Sequence, residues 1–438
     1  MSKITNRRVA VTGIGIVSPL GLDAASTWQS LMAGNSGMGS IAQFDASNFP
    51  VHFAAEVKNY TPRVHRTGKH HRFTMPFTQF ALDAATEAMD DAGVFPSTIS
   101  DAARFGLVTG SGMMTGDFDH LTRFQRLVQP SDDKPLDWAL MQQKGDAFYE
   151  LNDFGKTASN SGLSLLIQEF GITGYANAVH TACASGGQAL GLALDVIRRG
   201  EADYMLAGGF DSMINPLGVS SFCLLGALSS DNDRPTEASR PFDGTRNGFV
   251  LGEGAAFLVL ESLEGAKARG ANIYAELAGH GNSLSAYRIT DSHPGGDGAI
   301  QAIEGALKDA GLEPTDIDYI NAHGTSTKMN DLSETNAIKA VLGEHAYQIP
   351  VSSTKSQTGH LIAAAGALEA VLSVLAIQHA MVPMTQNQTT KDPECDLDYV
   401  PEGPREKAVG AVLSNSFGFG GSNSCLLFKH PEFDERCA

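Results

Sequence analysis

The sequence predicts an α/β protein made of two similar halves. Strand-like apolar runs alternate with helix-like runs along all 438 residues, and one helix–turn–strand unit occurs twice. With 42% hydrophobic and 18% charged residues, the chain can bury a large core and is not disordered by composition. In order, the first half reads as a strand at 8–11, a helix at 81–92, a strand at 105–108, a helix at 184–199 and strands at 204–207 and 256–261. The second half reads as a helix at 300–310, a strand at 319–322, a helix at 366–377 and a strand at 408–414.

The repeat sits at a constant offset of 218. Glu87-Ala-Met-Asp-Asp-Ala-Gly-Val-Phe-Pro96 lines up with Gly305-Ala-Leu-Lys-Asp-Ala-Gly-Leu-Glu-Pro314. In each copy an amphipathic helix stops at Gly, turns at Pro and leads into a strand that ends in a Gly/Ser/Thr loop. Two weaker pairs accompany it: the helices after Cys183 and after His360, and the strands near Leu206 and Leu413. The expectation is therefore a duplicated unit divided as 1–262 and 263–438.

Composition excludes several classes. A formal charge of −18 argues against general nucleic-acid binding, which draws its affinity from phosphate neutralisation. No apolar signal segment precedes Arg7-Arg8, and the longest apolar stretch, 361–377, is interrupted by Glu369, so no membrane span is expected. The five cysteines are odd in number and contain no CxxC pair, which fits a reducing, cytoplasmic setting without a disulfide scaffold or metal site.

Cys183 stands in His180-Thr-Ala-Cys-Ala-Ser-Gly-Gly187, just ahead of a long helix. Its small neighbours allow a sharp strand-to-helix turn, and the helix N-terminus would lower the thiol pKa. A small buried filler fits the same residues. His323 ends an apolar strand and opens a Gly-Thr-Ser-Thr loop, while His360 closes Ser353-Thr-Lys-Ser-Gln-Thr-Gly-His360 ahead of an Ala-rich helix. Both occupy places where α/β folds put reactive groups, and a cysteine in the matching loop of the other half strengthens a catalytic reading. In Asn415-Ser-Phe-Gly-Phe-Gly-Gly421, rings alternate with Gly, giving a loop that can bring a backbone N–H near a reacting carbonyl.

Thr181-Ala-Cys-Ala-Ser-Gly186, Asn321-Ala-His-Gly-Thr-Ser-Thr327, Ser352-Ser-Thr-Lys-Ser-Gln-Thr-Gly-His360 and Asn415–Gly421 together closely resemble the β-ketoacyl-acyl carrier protein synthases, nearest to the synthase II subgroup. The similarity runs from Val11 to Leu427. It implies a thiolase fold, with two similar halves in a five-layered α-β-α-β-α core, and a homodimer; a heterodimer with a homologous subunit stays open. It implies decarboxylative Claisen condensation of malonyl-acyl carrier protein with an acyl group on Cys183, with no cofactor and an acyl carrier protein as partner.

Carried over by motif, the resemblance makes Cys183, His323, His360 and Lys355 catalytic. The backbone N–H groups of Cys183 and Phe419 would form an oxyanion hole, with Phe417 and Phe419 at the gate. Lys355 would share a charge network with Asp331 and Glu334 in the loop after His323, Thr325 and Thr327 would touch pantetheine, and Met113 would line the acyl pocket. The basic run at 63–72, with Arg66, Lys69 and Arg72, would dock the carrier. The stretches 130–149 and 152–161 depart from the family pattern, leaving the acyl substrate open. A ketosynthase of a polyketide, polyene or specialised-lipid pathway is the enzyme alternative. A non-catalytic chain-length partner subunit is the alternative from another class.

Overall fold

A computed structural model describes residues 7–112, 118–129, 131–148, 151–290 and 292–436. Ten strands form the main sheet: β1 (Val9–Val17), β2 (Phe105–Ser111), β3 (Ala176–Val179), β4 (Tyr204–Ser212), β5 (Glu253–Ser262), β6 (Ala275–Leu284), β7 (Tyr319–Asn321), β8 (Val351–Ser352), β9 (Ala411–Phe417) and β10 (Ser422–Lys429). Five helices frame it: α1 (Thr78–Ala92), α2 (Ser185–Arg198), α3 (Asp297–Ala310), α4 (Lys328–Leu342) and α5 (Ala365–His379). Most of the strands are buried along nearly their full length, as continuous Val/Ile/Leu/Ala/Gly runs covered on both faces require.

The strand order is β8-β7-β9-β10-β6-β1-β5-β4-β2-β3. Its two ends repeat one pattern. From the middle outward, β1 pairs antiparallel with β5 and β5 with β4, while β4–β2 and β2–β3 are parallel. In the same sense, β6 pairs antiparallel with β10 and β10 with β9, while β9–β7 and β7–β8 are parallel. Each strand of the first five thus has its counterpart five strands later. The sequence did not foretell the link between them: Ala10 faces Glu276 and Val11 faces Ala275, joining the two sets at β1 and β6 into one sheet.

Helix placement follows from side-chain patterning. Helices α1 and α3 bury one face and stop at Gly93 and Gly311, both left-handed, as the repeated Ala-Gly anticipates. Each covers the outer face of its own strands. Helix α5 is apolar all round and buried from Ala365 to Ile377; the 362–379 stretch is apolar enough to cross a membrane but is packed into the core. Helices α2 and α5 pack against each other and touch strands of both halves. The layers therefore read helix, first-half strands, paired helices, second-half strands, helix, the one sheet supplying both strand layers.

The central layer is closed by glycine. A Cβ on Gly186 would lie 2.8 Å from the Ala367 nitrogen, and one on Gly366 would lie 2.6 Å from Ser416 Oγ and 2.8 Å from the Gly187 nitrogen. Several elements differ from their sequence expectation. Helix α4 contains Asp331 and Glu334, which are therefore helical and not in a loop; one side of it is buried against α3 and the second-half core, whereas the sequence pattern there is polar and weakly periodic. The atypical stretches form short helices at Trp138–Phe148 and Leu151–Thr157.

Because both neighbours at Gly366 are constrained, Gly366→Ala is expected to destabilise the protein by about 1–3 kcal/mol through overpacking. Gly145, on the Trp138–Phe148 helix, has open space around it, so Gly145→Ala should stabilise by up to about 1 kcal/mol. Urea midpoints measure both; equal midpoints would contradict a seam closed by glycine.

Candidate active site

Cys183 sits in a tight turn, Ala182–Ala184, between β3 and α2. Ala182 has φ of 50°, a left-handed conformation that a side chain adopts only at a cost of about 1–2 kcal/mol. The matching turn of the second half repeats it at Ile362, with φ of 47°. The Cys183 side chain is buried at the base of a cavity of about 460 Å³. His323 follows β7, and His360 follows the short helix Lys355–Thr358, so one half of the duplication supplies the thiol and the other supplies both imidazoles.

His360 Nε2 lies 3.1 Å from Cys183 Sγ. The two imidazole rings meet edge to face at 5.2 Å and 84°. Phe249 packs edge-on against His360 at 5.2 Å, and Phe417 against His323 at 5.7 Å. Backbone N–H groups of Phe419 and Cys183 approach the sulfur. Gly418 lets the Phe419 loop come this close, because a Cβ there would lie 3.1 Å from the Cys183 nitrogen.

The electrostatics correct one expectation. Burial pushes the Cys183 thiol up to about 12, overriding the N–H groups of Phe419 and Cys183 and the charge of Lys355, all of which favour thiolate. The helix start does not produce a resting thiolate. Burial, with Lys355 nearby, holds both imidazoles well below the ordinary histidine range, so they are neutral at pH 7. The structure therefore holds a neutral thiol against a neutral imidazole that can take its proton as a thioester is attacked.

The expected charge network divides into three. Lys355 Nζ is paired with Glu369 of α5, both buried, and not with Asp331 or Glu334. Glu334 accepts the backbone N–H groups of His323 and Gly324, each at 2.8 Å, and the Asn415 side-chain amide at 3.0 Å. Burial pushes Glu334 and Glu369 up to about 7. Asp331 accepts the Phe242 backbone N–H at 2.8 Å and lies 3.6 Å from Arg246. Glu369 was missed as a site residue, although an acid alone in a fully apolar helix is itself a signal that a buried cation must meet it. Asp211, whose carboxylate accepts the Ala363 backbone N–H at 3.1 Å beneath the nucleophile turn, gave no such signal.

Thr325 and Thr327 line the cavity with their hydroxyls 3.0 Å apart. Met113 lies outside the described residues. The basic run stands apart from the cavity, on a short turn of helix at Gly68–Phe73. There Lys69 and Arg72 are exposed, with Arg72 over the Phe73 ring at 4.8 Å. The Arg66 guanidinium is already engaged by the carbonyl oxygens of Gln168 and Glu169 at a helix C-terminus. The ligating atoms of Cys183, His323 and His360 lie within 4.8 Å of one another, close enough for one metal ion. Two N–H groups aimed at the sulfur suit developing negative charge and would repel a cation.

Comparison with known proteins agrees with this geometry. The profile of the β-ketoacyl synthase N-terminal domain matches residues 6–266, and that of the C-terminal domain matches 274–389. The chain is 43% identical over 427 residues to the 3-oxoacyl-[acyl-carrier-protein] synthase 2 of Coxiella burnetii, covering 96% of this chain and 98% of the relative. It is 43% identical over 432 residues to the protein of the same name from Synechocystis, covering 98% and 99%. A ketosynthase solved with its type II polyketide acyl carrier protein superposes with a TM-score of 0.85 at 37% identity, covering 97% of this chain and 99% of that one. A β-ketoacyl synthase from Burkholderia phymatum superposes at 0.86 with 32% identity and the same coverage. The fold is thus the α/β thiolase fold. By profile, by full-length identity and by structure, the chain belongs to the β-ketoacyl synthase family.

Proposed function

We propose that this protein is an elongating condensing enzyme that joins an acyl group held on Cys183 to malonyl-acyl carrier protein, releasing CO₂ and lengthening the chain by two carbons. One observation carries the reading: a thiol, two neutral imidazoles and two backbone N–H groups share the base of one cavity. The 3-oxoacyl-[acyl-carrier-protein] synthase 2 name of the full-length relatives supports it.

Cys183 attacks the acyl thioester, its proton passes to His360 Nε2 and on to the departing pantetheine sulfur, and the acyl group rests on Sγ. The N–H groups of Cys183 and Phe419 hold the oxyanion of each tetrahedral intermediate. Malonyl thioester then enters along Thr325 and Thr327. Its carboxylate leaves as CO₂, and the bonding electron pair becomes an enolate whose oxygen accepts an N–H bond from His323 and, once that ring has shifted to its Nε2–H tautomer, one from His360. The enolate carbon attacks the acyl carbonyl, the C–S bond breaks, and the Cys183 thiolate regains a proton from water. Lys355, paired with Glu369, keeps both imidazoles neutral and N–H-donating. Phe417 and Phe419 gate the cavity. Asp331 and Glu334 brace the loop that carries His323.

Wider features of the reading concern assembly. The halves divide at 262/263. The protein acts as a homodimer through the free edge of β3, whose Ala176 and Asn177 are exposed and uncharged. It needs no cofactor and works in the cytoplasm. A polyketide ketosynthase is the second reading, favoured by the type II polyketide ketosynthase, bound to a hexaketide and in complex with its acyl carrier protein, among the structural relatives. Lys69 and Arg72 steer the carrier to the cavity, with Arg66 bracing their segment.

Removing the His323 donor by His323→Ala is expected to lower CO₂ release from malonyl carrier by about 10²–10³-fold. Acylation of Cys183, followed separately, should fall far less; equal loss in both half-reactions would give His323 a structural role. Reversing charge with Lys69→Glu and Arg72→Glu should raise the KM for carrier-bound substrate relative to a short pantetheine thioester by about tenfold. An equal rise for both substrates, or for neither, would remove this patch as the docking site.

A further inference from the structure

The cavity leading to Cys183 has an uneven charge. In a chain of net −18, no Asp or Glu occurs among the described residues that line it. Apart from its two neutral imidazoles, the described residues of its lining include one cation, Lys328. Lys328 is exposed at the mouth beside Met329 and Ile289, whereas Cys183 lies buried at the base. It makes no ion pair among the described residues.

Its backbone is fixed although its side chain is free. The buried Arg246 guanidinium donates to the Thr327 carbonyl oxygen at 3.3 Å and to the Lys328 carbonyl oxygen at 3.1 Å. Arg246 is itself held by Asp392, at 2.5 Å. Lys328 also opens α4, a fifteen-residue helix, so its charge lies at the positive end of the helix dipole. The first-turn acid of α4, Asp331, is buried and bonded to the Phe242 N–H, leaving it committed elsewhere. A lysine here adds nothing to helix stability; an anion at the cavity mouth would satisfy both the ammonium and the dipole.

We propose that Lys328 recognises the phosphate of a phosphorylated pantetheine arm as that arm threads past Thr325 and Thr327 toward Cys183. The proposal rests on the reading that donors arrive as pantetheine thioesters, and it adds the part of the donor that this chain selects. The ammonium supplies a charge-assisted hydrogen bond to a phosphate oxygen at the rim, while the uncharged walls carry the remainder of the arm.

The test compares KM for three malonyl donors: the carrier with its phosphopantetheine arm, malonyl-coenzyme A, and malonyl-pantetheine lacking phosphate. CO₂ release is the readout for wild type, Lys328→Ala and Lys328→Arg. Wild type should favour the phosphorylated donors, and Lys328→Ala should narrow that preference by about three- to tenfold. Lys328→Arg should retain most of it, and added salt should narrow it in wild type. Narrowing with the carrier but not coenzyme A, or the reverse, supports phosphate recognition and identifies which source is read. A preference that persists in Lys328→Ala, or KM values that rise alike for all three donors, overturns the assignment. If wild type releases CO₂ from none of the donors, the function itself fails.

Discussion

The site exists only because the two halves touch. The thiol comes from a turn ahead of α2, both imidazoles come from loops of the other half, and Lys355 from a short helix between them. Helices α2 and α5 must therefore pack closely enough for His360 to reach Cys183 at 3.1 Å. Glycines at 186 and 366 leave no side chain between their backbones, and Gly209 admits the Ala363 carbonyl of the second-half turn against β4. Asp211 fixes that turn from the opposite side by accepting the Ala363 N–H. The left-handed residues Ala182 and Ile362 mark the two matching turns at this seam. Of the pair, one turn bears a nucleophile and the other bears Ala363 in its place.

Burying so many charges at the seam is costly unless each is met. Lys355 and Glu369 meet each other, and removing one partner of such a pair leaves a buried charge worth about 3–5 kcal/mol of destabilisation. Glu334 is met by three N–H donors and so fixes the backbone at His323 and Gly324. Arg246 anchors the start of α4, and with it the threonine-lined wall of the cavity. These groups are connected in function although they are not one network. The pair sets the charge near the imidazoles, Glu334 sets the position of one of them, and Arg246 sets the channel. The outcome is a buried site with neutral rings and a neutral thiol, beside N–H donors already in place.

Much of this was legible in the sequence because it lay in local patterns. The repeated Ala-Gly-x-x-Pro gave both outer helices and their left-handed stops, and the motif loops gave Cys183, His323 and His360. What escaped depended on distant contacts. The acidic partner of Lys355 lies fourteen residues away on a helix that reads as pure core. Asp331 and Glu334 read as loop residues because α4 is polar and weakly periodic, its burial being set by packing against α3 and the second-half core. The thiol pKa was misjudged for the same reason: sequence shows the helix start that lowers it, and only the assembled cavity shows the burial that raises it. The join of β1 to β6 rests on two residue pairs and leaves no periodic trace.

The account turns on Cys183 carrying an acyl group that a malonyl donor then removes. Mass spectrometry of the Cys183 peptide, after incubation with acyl carriers of several chain lengths, tests this directly. The account predicts an acyl adduct on that peptide. Adding malonyl carrier should clear the adduct, with a carrier-bound 3-oxoacyl product two carbons longer than the original acyl group. A peptide that stays unmodified, or an adduct that malonyl carrier leaves in place, would contradict it.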